Sequence, residues 1–295
     1  MRLRLLGTGT PTPSLKRACS GYVVEIGGDT IVMDHGFGAH QRLLELGIPP
    51  TQVTHFFCSH LHYDHMGDYP RLLLTRWDQG VGKIPELKVY GPPPIKQVTK
   101  ALFEEGGVFW PDLVARTKHM CSVSIYHARG GAGERKRPAP DVTEMRPNDV
   151  AQGRNWTMKA VGVAHIGPYL TSYGFRLDSD EGSVVYSGDS GPCASMERLA
   201  EGADVLVHMC HYISGTQLCE EFAESCMGHL ELAELGRKTG VKTLVLSHVT
   251  EQIDQAGVRE RVLNEMSQIY KGNLVLGEDR LDVPVKKAAV PAKLL

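Results

Sequence analysis

Short apolar runs bounded by glycine, proline or polar residues alternate along this chain with longer segments in which apolar residues recur every three or four positions. In the N-terminal third these patterns predict a helix near 39–46 and β-strands at 2–6, 21–26, 30–34 and 54–58. In the last third they predict helices at 195–200, 229–239 and 256–270 that alternate with strands at 183–187, 204–208 and 243–247. Strands that alternate with helices along a chain predict an α/β protein.

Two segments depart from this rhythm, and we predict that they are insertions that form loops or a lid over a site. The segment 91–112 begins with Gly-Pro-Pro-Pro and contains an aromatic stretch, and the segment 128–150 contains Arg-Gly-Gly-Ala-Gly-Glu-Arg-Lys-Arg-Pro. We expect the chain to form a single domain over 1–283. Residues 284–295 carry Pro, Ala and Lys without a clear pattern and are predicted to be a peripheral tail.

The composition limits the class of protein. Hydrophobic residues at 42% and charged residues at 22% are typical of a soluble globular protein, and no stretch approaches the roughly 18 to 20 apolar residues of a membrane span. The first residues lack the apolar core of a signal peptide, so we expect a cytoplasmic protein. The net charge of −2 gives no overall basic surface, which counts against nucleic acid as the substrate.

The chain has seven cysteines, and none of them forms a Cys-x-x-Cys pair. An odd number of scattered cysteines predicts reduced thiols and excludes a cysteine-rich zinc knot. Any bound metal must therefore be held by nitrogen and oxygen atoms.

Four residues with metal-binding side chains lie within six positions after the predicted strand 54–58, namely His60, His62, Asp64 and His65. His60 and His62 alternate with Leu61, so in an extended segment their rings point the same way. Imidazole and carboxylate are the ligands that zinc accepts besides thiolate, and a catalytic zinc keeps one position for water. Such a density of histidine has no ordinary packing role, so the cluster predicts a catalytic metal site.

Polar residues also follow or end three later strands. Asp189, His208 and His248 each lie at or just beyond the carboxyl end of a predicted strand. In open α/β sheets this edge is where ligands and catalytic groups gather. We therefore expect these residues to approach the histidine cluster.

These motifs resemble the metallo-β-lactamase superfamily, and within it the ribonuclease Z and arylsulfatase-like branch. The resemblance covers almost the whole chain and rests on His-x-His-x-Asp-His at 60–65, on Asp-His-Gly at 34–36, and on the motifs at 161–165, 172–176, 185–189, 203–208, 228–229 and 244–248. It implies an αββα four-layer sandwich, the metallo-β-lactamase fold, with its site along one sheet edge. It also implies a metal-dependent hydrolase with a binuclear metal site.

The resemblance further implies a role for each candidate ligand. One metal would be held by His60, His62 and His165, and the other by Asp64, His65 and His248, while Asp189 would bridge the two. The implied cofactors are two Zn²⁺ ions, although the same nitrogen and oxygen ligands also accept Mn²⁺ or iron. Asp34 is expected to orient a ligand from outside the coordination sphere, and a purely structural role is the alternative.

Two residues are predicted to be catalytic, Asp64 at the metals and His229 at the leaving group. His229 follows Gly228 and opens a predicted helix, and in the ribonuclease Z-like branch the corresponding histidine assists leaving-group departure. The alternative is an ordinary residue at a helix start. That branch commonly has a glutamate directly after the position of His208, where this chain has Met209.

The same branch suggests a way to choose between substrates. Ribonucleases of the Z type carry a tRNA-clamping arm between the positions of His165 and Asp189, and in this chain that interval holds two hairpin-like strands joined at 178–182. We therefore predict that a metal-bridging hydroxide cleaves a small ester-like substrate, such as a lactone, carboxylic ester, phosphodiester or sulfate ester. The alternative is tRNA 3′-processing, for which the basic residues 135–137 could contact phosphates.

Aromatic residues on several segments are candidates for the walls of a substrate pocket, namely Trp77, Phe109, Trp110 and Tyr169. A third hypothesis is a non-catalytic metal-binding or redox module, which the intact set of ligands argues against.

The resemblance alone suggests a homodimer. The favoured partner is a small-molecule substrate, nucleic acid is less favoured, and no membrane partner is expected.

Overall fold

The computed structural model describes residues 1–285, which form fourteen strands, ten α-helices and one 3₁₀ helix (Pro50–Gln52). The strands are β1 (Arg2–Gly7), β2 (Gly21–Ile26), β3 (Asp29–His35), β4 (His55–Phe57), β5 (Lys88–Gly91), β6 (Asp141–Glu144), β7 (Val150–Gln152), β8 (Trp156–Gly162), β9 (Tyr173–Ser179), β10 (Gly182–Tyr186), β11 (Val205–Met209), β12 (Thr243–Ser247), β13 (Asn273–Leu276) and β14 (Asp282–Pro284). The helices are α1 (Ala39–Glu45), α2 (Tyr63–Met66), α3 (Tyr69–Gly80), α4 (Ile95–Phe103), α5 (Trp110–Lys118), α6 (Met120–Ala128), α7 (Ala194–Ala200), α8 (Glu220–Ser225), α9 (His229–Thr239) and α10 (Val258–Ile269).

The strands form two seven-stranded mixed sheets. The first sheet has the order β14-β1-β2-β3-β4-β5-β6, and the second has the order β13-β12-β11-β10-β9-β8-β7. In the first sheet β3, β4, β5 and β6 run parallel, and in the second β10, β11, β12 and β13 do. Because parallel strands share one carboxyl-terminal edge, the loops after them meet at the same side of each sheet.

Alternate residues of the strands face two different apolar layers, as the two-residue period of a strand requires. In β2, Tyr22 and Val24 pack between the sheets, whereas Val23 packs under the helices of the first sheet. In β11, Val207 faces the space between the sheets and Leu206 faces the helices of the second sheet. The result is a helix–sheet–sheet–helix arrangement with three apolar layers, which confirms the predicted αββα sandwich.

The helices cover the outer face of each sheet. Helices α1, α3, α4 and α5 pack on the first sheet through residues such as Leu43, Leu72 and Phe103. Helices α7, α9 and α10 pack on the second sheet through residues such as Leu232 and Met266. No helix among residues 1–285 combines the length and the apolar content that crossing a membrane would require.

The predicted insertions contain regular elements that belong to the fold. The segment 91–112 was expected to be a loop or lid, but it contains α4 and the start of α5. Pro94 directly precedes α4 and Pro111 stands in the first turn of α5, and proline favours the start of a helix at such positions. The segment 128–150 contributes β6, which pairs with β5 and forms the edge of the first sheet. The predicted tail begins at the last residue of β14, and residues 286–295 of it lie outside the described part of the chain.

Candidate metal centre

The loop that carries the histidine cluster follows β4 and is fixed by a buried aspartate at the end of β3. The Asp34 carboxylate accepts hydrogen bonds from the backbone nitrogen and the hydroxyl of Ser59, both at 2.6 Å. It accepts a third from the Tyr186 hydroxyl, also at 2.6 Å, and it contacts the Nδ1 atom of His65 at 2.7 Å. Asp34 therefore connects β3 and β10 with both ends of the cluster.

The first group of candidate ligands contains His60, His62, His165 and Asp189. One ligand atom from each lies within 4.8 Å of the others, which is the spacing of atoms that could share one metal ion. The Nε2 atom of His60 lies 2.9 Å from Nδ1 of His62 and 4.0 Å from Oδ2 of Asp189. The Nε2 atom of His165 lies 3.7 Å from the same carboxylate oxygen.

The second group contains Asp64, His65 and His248, and its ligand atoms are equally close together. The Oδ2 atom of Asp64 lies 3.4 Å from Nε2 of His65 and 3.3 Å from Nε2 of His248. Ligand atoms placed tetrahedrally at ~2.1 Å from a zinc ion are about 3.4 Å from one another. The spacing in this group therefore suits a metal ion held by nitrogen and oxygen.

Asp189 lies between the two groups. Its carboxylate oxygens are 3.4 Å from Nε2 of His65, 3.4 Å from Nε2 of His248, and 3.7 Å from Nε2 of His165. One carboxylate thus faces histidines that belong to both groups. This is the position that a bridging ligand of a binuclear site requires.

Four of the candidate ligand atoms lack hydrogen-bond partners among the described residues. Within residues 1–285, buried polar atoms without a hydrogen-bond partner include Nε2 of His65, Nε2 of His165, and one carboxylate oxygen each of Asp64 and Asp189. A buried polar atom without a partner costs free energy, so four in one cluster need an explanation. A bound cation pair would supply the missing interactions, and the residues present fit such a pair.

Three residues of the cluster, Asp64, Asp189 and His60, carry the charge that a metal ligand needs, because a metal binds carboxylate and neutral imidazole. Burial by itself favours a neutral acid, but hydrogen bonds with His248 and His65 lower the pKa of Asp64. Burial is likewise outweighed at Asp189, where the neighbouring His248 and His65 lower the pKa well below its usual range. Burial lowers the pKa of His60, which keeps that ring neutral. At His65 burial is outweighed by the neighbouring Asp189 and Asp34, which raise the pKa well above its usual range, so this ring would release a proton when it binds a metal.

The outer nitrogens of four rings have specific partners. His60 is 3.0 Å from the Ser59 hydroxyl, His65 bonds to Asp34, and His165 lies 3.0 Å from the Ser225 carbonyl oxygen, to which its Nδ1 can donate. The Nδ1 atom of His248 lies 3.1 Å from Nδ1 of His211. Such partners set which ring nitrogen carries the proton and which one faces a metal.

Two residues of the centre have left-handed backbone conformations that are unusual for side chains other than glycine. Asp34 has φ of 53° and His248 has φ of 50°. Conformations of this kind cost roughly 1–3 kcal/mol each and persist where the surroundings hold them. Asp34 is the second-last residue of β3 and His248 directly follows β12. The hydrogen bonds to Asp34 hold its strained backbone in place.

His229, which we predicted to act at the leaving group, is buried and has a partner on each ring nitrogen. Its ring is 1% exposed, its Nδ1 accepts a hydrogen bond from the Ser214 backbone at 3.0 Å, and its Nε2 lies 2.7 Å from the Glu265 carboxylate. Both nitrogens are therefore engaged by α10 and by the loop before α8, and His229 belongs to neither ligand group. His208 is buried within β11, where Nδ1 lies 2.9 Å from the Met209 carbonyl oxygen, and it also belongs to neither ligand group.

His211 is a residue of the centre that the sequence pattern did not single out. It follows β11 by two residues, and its ring centroid lies 5.1 Å from that of His248. The signal was present, because Asp189 follows β10 by three residues and His248 follows β12 by one. The same rule applied to β11 selects His211 as well as His208.

The predicted pocket aromatics lie in two separate places. The Trp77 ring lies under the Arg135 guanidinium at 4.3 Å, and the Trp110 ring lies under Arg137 at 4.4 Å. Phe109 stacks on Phe103, with ring centroids 5.8 Å apart. Tyr169, the remaining candidate, lies on the loop after His165 and is 88% exposed.

Comparisons with known proteins agree with this geometry. Residues 16–248 match the metallo-beta-lactamase superfamily. Ribonuclease Z of Mycobacterium avium (strain 104) is 30% identical over 285 residues, which cover 95% of this chain and 96% of that protein.

Solved structures agree as well. The metallo-beta-lactamase fold protein YhfI from Bacillus subtilis superimposes with a TM-score of 0.74 at 19% identity, covering 96% of this chain and 99% of that one. The Zn²⁺-bound PqqB from Methylobacterium extorquens superimposes with a TM-score of 0.66 at 10% identity, covering 97% and 100%. At these identities both structures establish the fold.

The family match covers most of the chain, and the described fold and the two His/Asp groups agree with it. The groups are consistent with a binuclear metal site. The chain therefore belongs to the metallo-β-lactamase superfamily and is a metal-dependent hydrolase.

Proposed function

We propose that this hydrolase is a two-metal phosphodiesterase of the ribonuclease Z type, which cleaves a phosphodiester bond in RNA. The single observation that carries the two-metal part is the position of Asp189, whose carboxylate faces histidines of both ligand groups at 3.4–3.7 Å. The 30% identity with a ribonuclease Z over 95% of the chain supports RNA as the substrate. This choice reverses the preference for a small ester that the sequence pattern suggested.

Zinc is the metal that we propose for both positions. The donor set is nitrogen and oxygen only, with His60, His62 and His165 on one side and Asp64, His65 and His248 on the other. A pair of such ions supplies an activated water and neutralises the charge that develops on a phosphoryl group. The fold neighbour whose structure contains Zn²⁺ supports this choice over manganese or iron.

The residues of the chain divide the remaining work between them. Asp64 and Asp189 stay ionised because the histidines around them lower their pKa, so both can hold cations. Asp34 holds His65, and His211 holds His248, so that each ring keeps Nε2 directed into the centre. For His229 we propose that the ring fixes the Ser214 loop against Glu265, because both of its nitrogens are engaged there.

The missing arm is weaker evidence against RNA than the sequence pattern implied. The interval between His165 and Asp189 holds only β9 and β10, which form an antiparallel hairpin. The Mycobacterium avium ribonuclease Z is matched over 96% of its length, so little of that protein lies outside the match. A chain without a long arm at this position is therefore compatible with the ribonuclease Z type.

A small phosphodiester is the second candidate substrate, and the state of the basic segment favours it. Arg135 was a candidate for phosphate contact, but its guanidinium bonds to the Asp78 carboxylate at 2.5 Å and lies over Trp77. Its side chain is only 5% exposed. An arginine that is neutralised and buried in this way offers no charge to a nucleic acid.

The test is cleavage by purified protein of known metal content. A 3′-extended precursor tRNA is compared with small phosphodiester, sulfate ester, lactone and carboxylic ester substrates. Specific cleavage of the tRNA at its 3′ extension is the expected result, and hydrolysis of a small ester with the tRNA left intact would overturn the RNA assignment.

Matched variants test the metal ligands in the same assay. His62→Ala should lose both metal and activity, whereas His119→Ala should lose neither, because His119 is an exposed histidine outside the two groups. Full activity in a metal-free His62→Ala protein would contradict the two-metal proposal.

A further inference from the structure

A cleft of about 490 Å³ adjoins the metal centre on the side of the loop after β1. Its walls include Pro11, Pro13, Cys19, Phe37 and Tyr63. Phe37 is 52% exposed and Tyr63 is 58% exposed, although Gly36 beside Phe37 and Asp64 beside Tyr63 are buried. Two large exposed rings on the wall of one cleft indicate a surface that contacts something other than the core.

The cleft is held close to the candidate ligands by the chain itself. Tyr63 stands between His62 of one ligand group and Asp64 of the other. Gly36 packs directly against the backbone carbonyl of Asp64 and against Cys19, which also lines the cleft. The cleft therefore lies beside the segment that carries the candidate ligands.

The two rings form a fixed pair. The centroids of Phe37 and Tyr63 are 6.1 Å apart, with ring planes tilted by 45°. The Phe37 ring lies against the backbone of Gly67, where even an added methyl group would be only 2.7 Å from the ring carbons. This contact fixes the position of the Phe37 ring, so the two rings form one aromatic wall of the cleft.

The charged groups of the cleft are already neutralised. Arg17 bonds to Asp254 at 3.0 Å, and Arg42 bonds to Asp279 at 3.0 Å. Arg17 also donates to the carbonyl oxygen of Gly277. A wall with aromatic rings and neutralised cations suits the flat, uncharged part of a substrate better than a phosphate group.

We propose that Phe37 and Tyr63 form a stacking subsite for a nucleobase adjacent to the phosphodiester that is cleaved. This inference rests on the proposed phosphodiesterase activity and adds to it the part of the substrate that is recognised. Each base has a flat face that can stack on an aromatic ring, so the subsite accepts different bases. It places the base next to the metal centre and leaves the charged phosphate to the metals.

The test compares two chromogenic substrates with the same leaving group. Thymidine 5′-(p-nitrophenyl phosphate) carries a base, and methyl p-nitrophenyl phosphate does not. In the zinc-loaded wild-type protein the thymidine ester should have the higher kcat/KM, by roughly 5- to 150-fold, the range that one stacked base contributes. Phe37→Ala and Tyr63→Ala should each remove most of this advantage through KM, so that the ratio of the two kcat/KM values falls toward one.

Two further variants make the outcome specific to stacking. Tyr63→Phe keeps the ring and should keep the advantage of the thymidine ester. Met120→Ala removes another exposed apolar side chain, on α6 outside the cleft, and should change nothing. An unchanged ratio of the two substrates in Phe37→Ala, with zinc content at the wild-type level, would overturn the subsite.

A binding measurement separates failure of the subsite from failure of the proposed function. Isothermal titration of the zinc-loaded protein with thymidine 5′-monophosphate and with inorganic phosphate should show tighter binding of the nucleotide, with the difference lost in Phe37→Ala. This result supports the subsite even if neither ester is cleaved, in which case only the proposed activity fails. Equal binding of both ligands by wild type and variant would refute the subsite even if both esters are cleaved.

Discussion

Replacement of His211 by alanine tests how the centre holds its second metal. The side chain lies outside both ligand groups, but its Nδ1 is 3.1 Å from Nδ1 of His248. Burial, together with the neighbouring His248, lowers the pKa of His211 to about 4, so the ring is neutral at pH 7 and its Nδ1 can accept a hydrogen bond. His248 would donate that bond while its Nε2 faces Asp64 and Asp189.

The expected loss follows from the role of such partners. Removing the group that orients a ligating histidine costs 10–100-fold in metal affinity. We therefore expect the dissociation constant for one zinc ion, the ion near Asp64, to rise by about that factor in His211→Ala. The other ion should be affected less, because the ring partners of His60 and His165 are unchanged.

The assay is competition for Zn²⁺ against a chromogenic chelator at pH 7, with metal content measured in parallel. His211→Asn retains an acceptor and should recover part of the lost affinity. His229→Ala is the matched control, because it also removes a buried histidine but leaves His248 its partner. Two dissociation constants equal to those of the wild-type protein in His211→Ala would refute the orienting role.

Three other changes probe the scaffold. Gly36→Ala should lower both zinc content and melting temperature, because its new Cβ would lie 1.8 Å from the Asp64 carbonyl oxygen; a protein that keeps two zinc ions would contradict this. Burial raises the pKa of Asp78, but the hydrogen bond from Arg135 lowers it by more, so the pKa of the carboxyl lies below its usual value. The ion pair therefore stabilises the fold above pH ~4, and this contribution is lost as the pH falls through the folded pKa. Asp78→Asn should therefore cost roughly 2 kcal/mol in urea unfolding at pH 7 and much less near pH 3. Burial lowers the pKa of His55 to about 4, so stability that is present above pH ~6.5 is lost as the pH falls toward 4. This loss should amount to roughly 2 kcal/mol at pH 5 and should be absent in His55→Phe. An unchanged dependence of stability on pH in the variant would contradict this.

The strands and the ligand groups could be predicted from the sequence because both depend on short spacings. His60 and His62 share a face through the two-residue period of an extended segment, and Asp189 and His248 stand just beyond apolar strands. The meeting of these loops follows from parallel strands in two packed sheets, which the family resemblance implied. The short spacings in the sequence and the topology of the two sheets therefore place the same residues at the metal centre.

The helices of the 91–112 segment were harder to predict, because the same residues punctuate loops and start helices. Gly91 and three prolines looked like a break, but the helix α4 begins directly after them at Ile95. Trp110 and Pro111 likewise open α5. Proline fixes a backbone angle that suits the first turn of a helix, so its presence does not separate the two cases.

The environments of single side chains were beyond the sequence pattern. His229 and His211 are both histidines near the ends of regular elements, and only the structure shows that Glu265 engages one and His248 the other. Arg135 looked like a free cation in a basic run, but Asp78 lies 57 positions away in the sequence and neutralises it. Contacts between distant segments decide such roles, and neither charge runs nor helix starts encode them.

The most direct test of the central claim is the zinc content of the purified protein and of Asp189→Ala, measured by elemental analysis beside the rate of phosphodiester cleavage. The wild-type protein should hold two zinc ions per chain, and the variant should lose zinc and activity together, because Asp189 faces both ligand groups. A wild-type protein that is fully active with no metal, or an Asp189→Ala protein that keeps two zinc ions and full activity, would contradict the account.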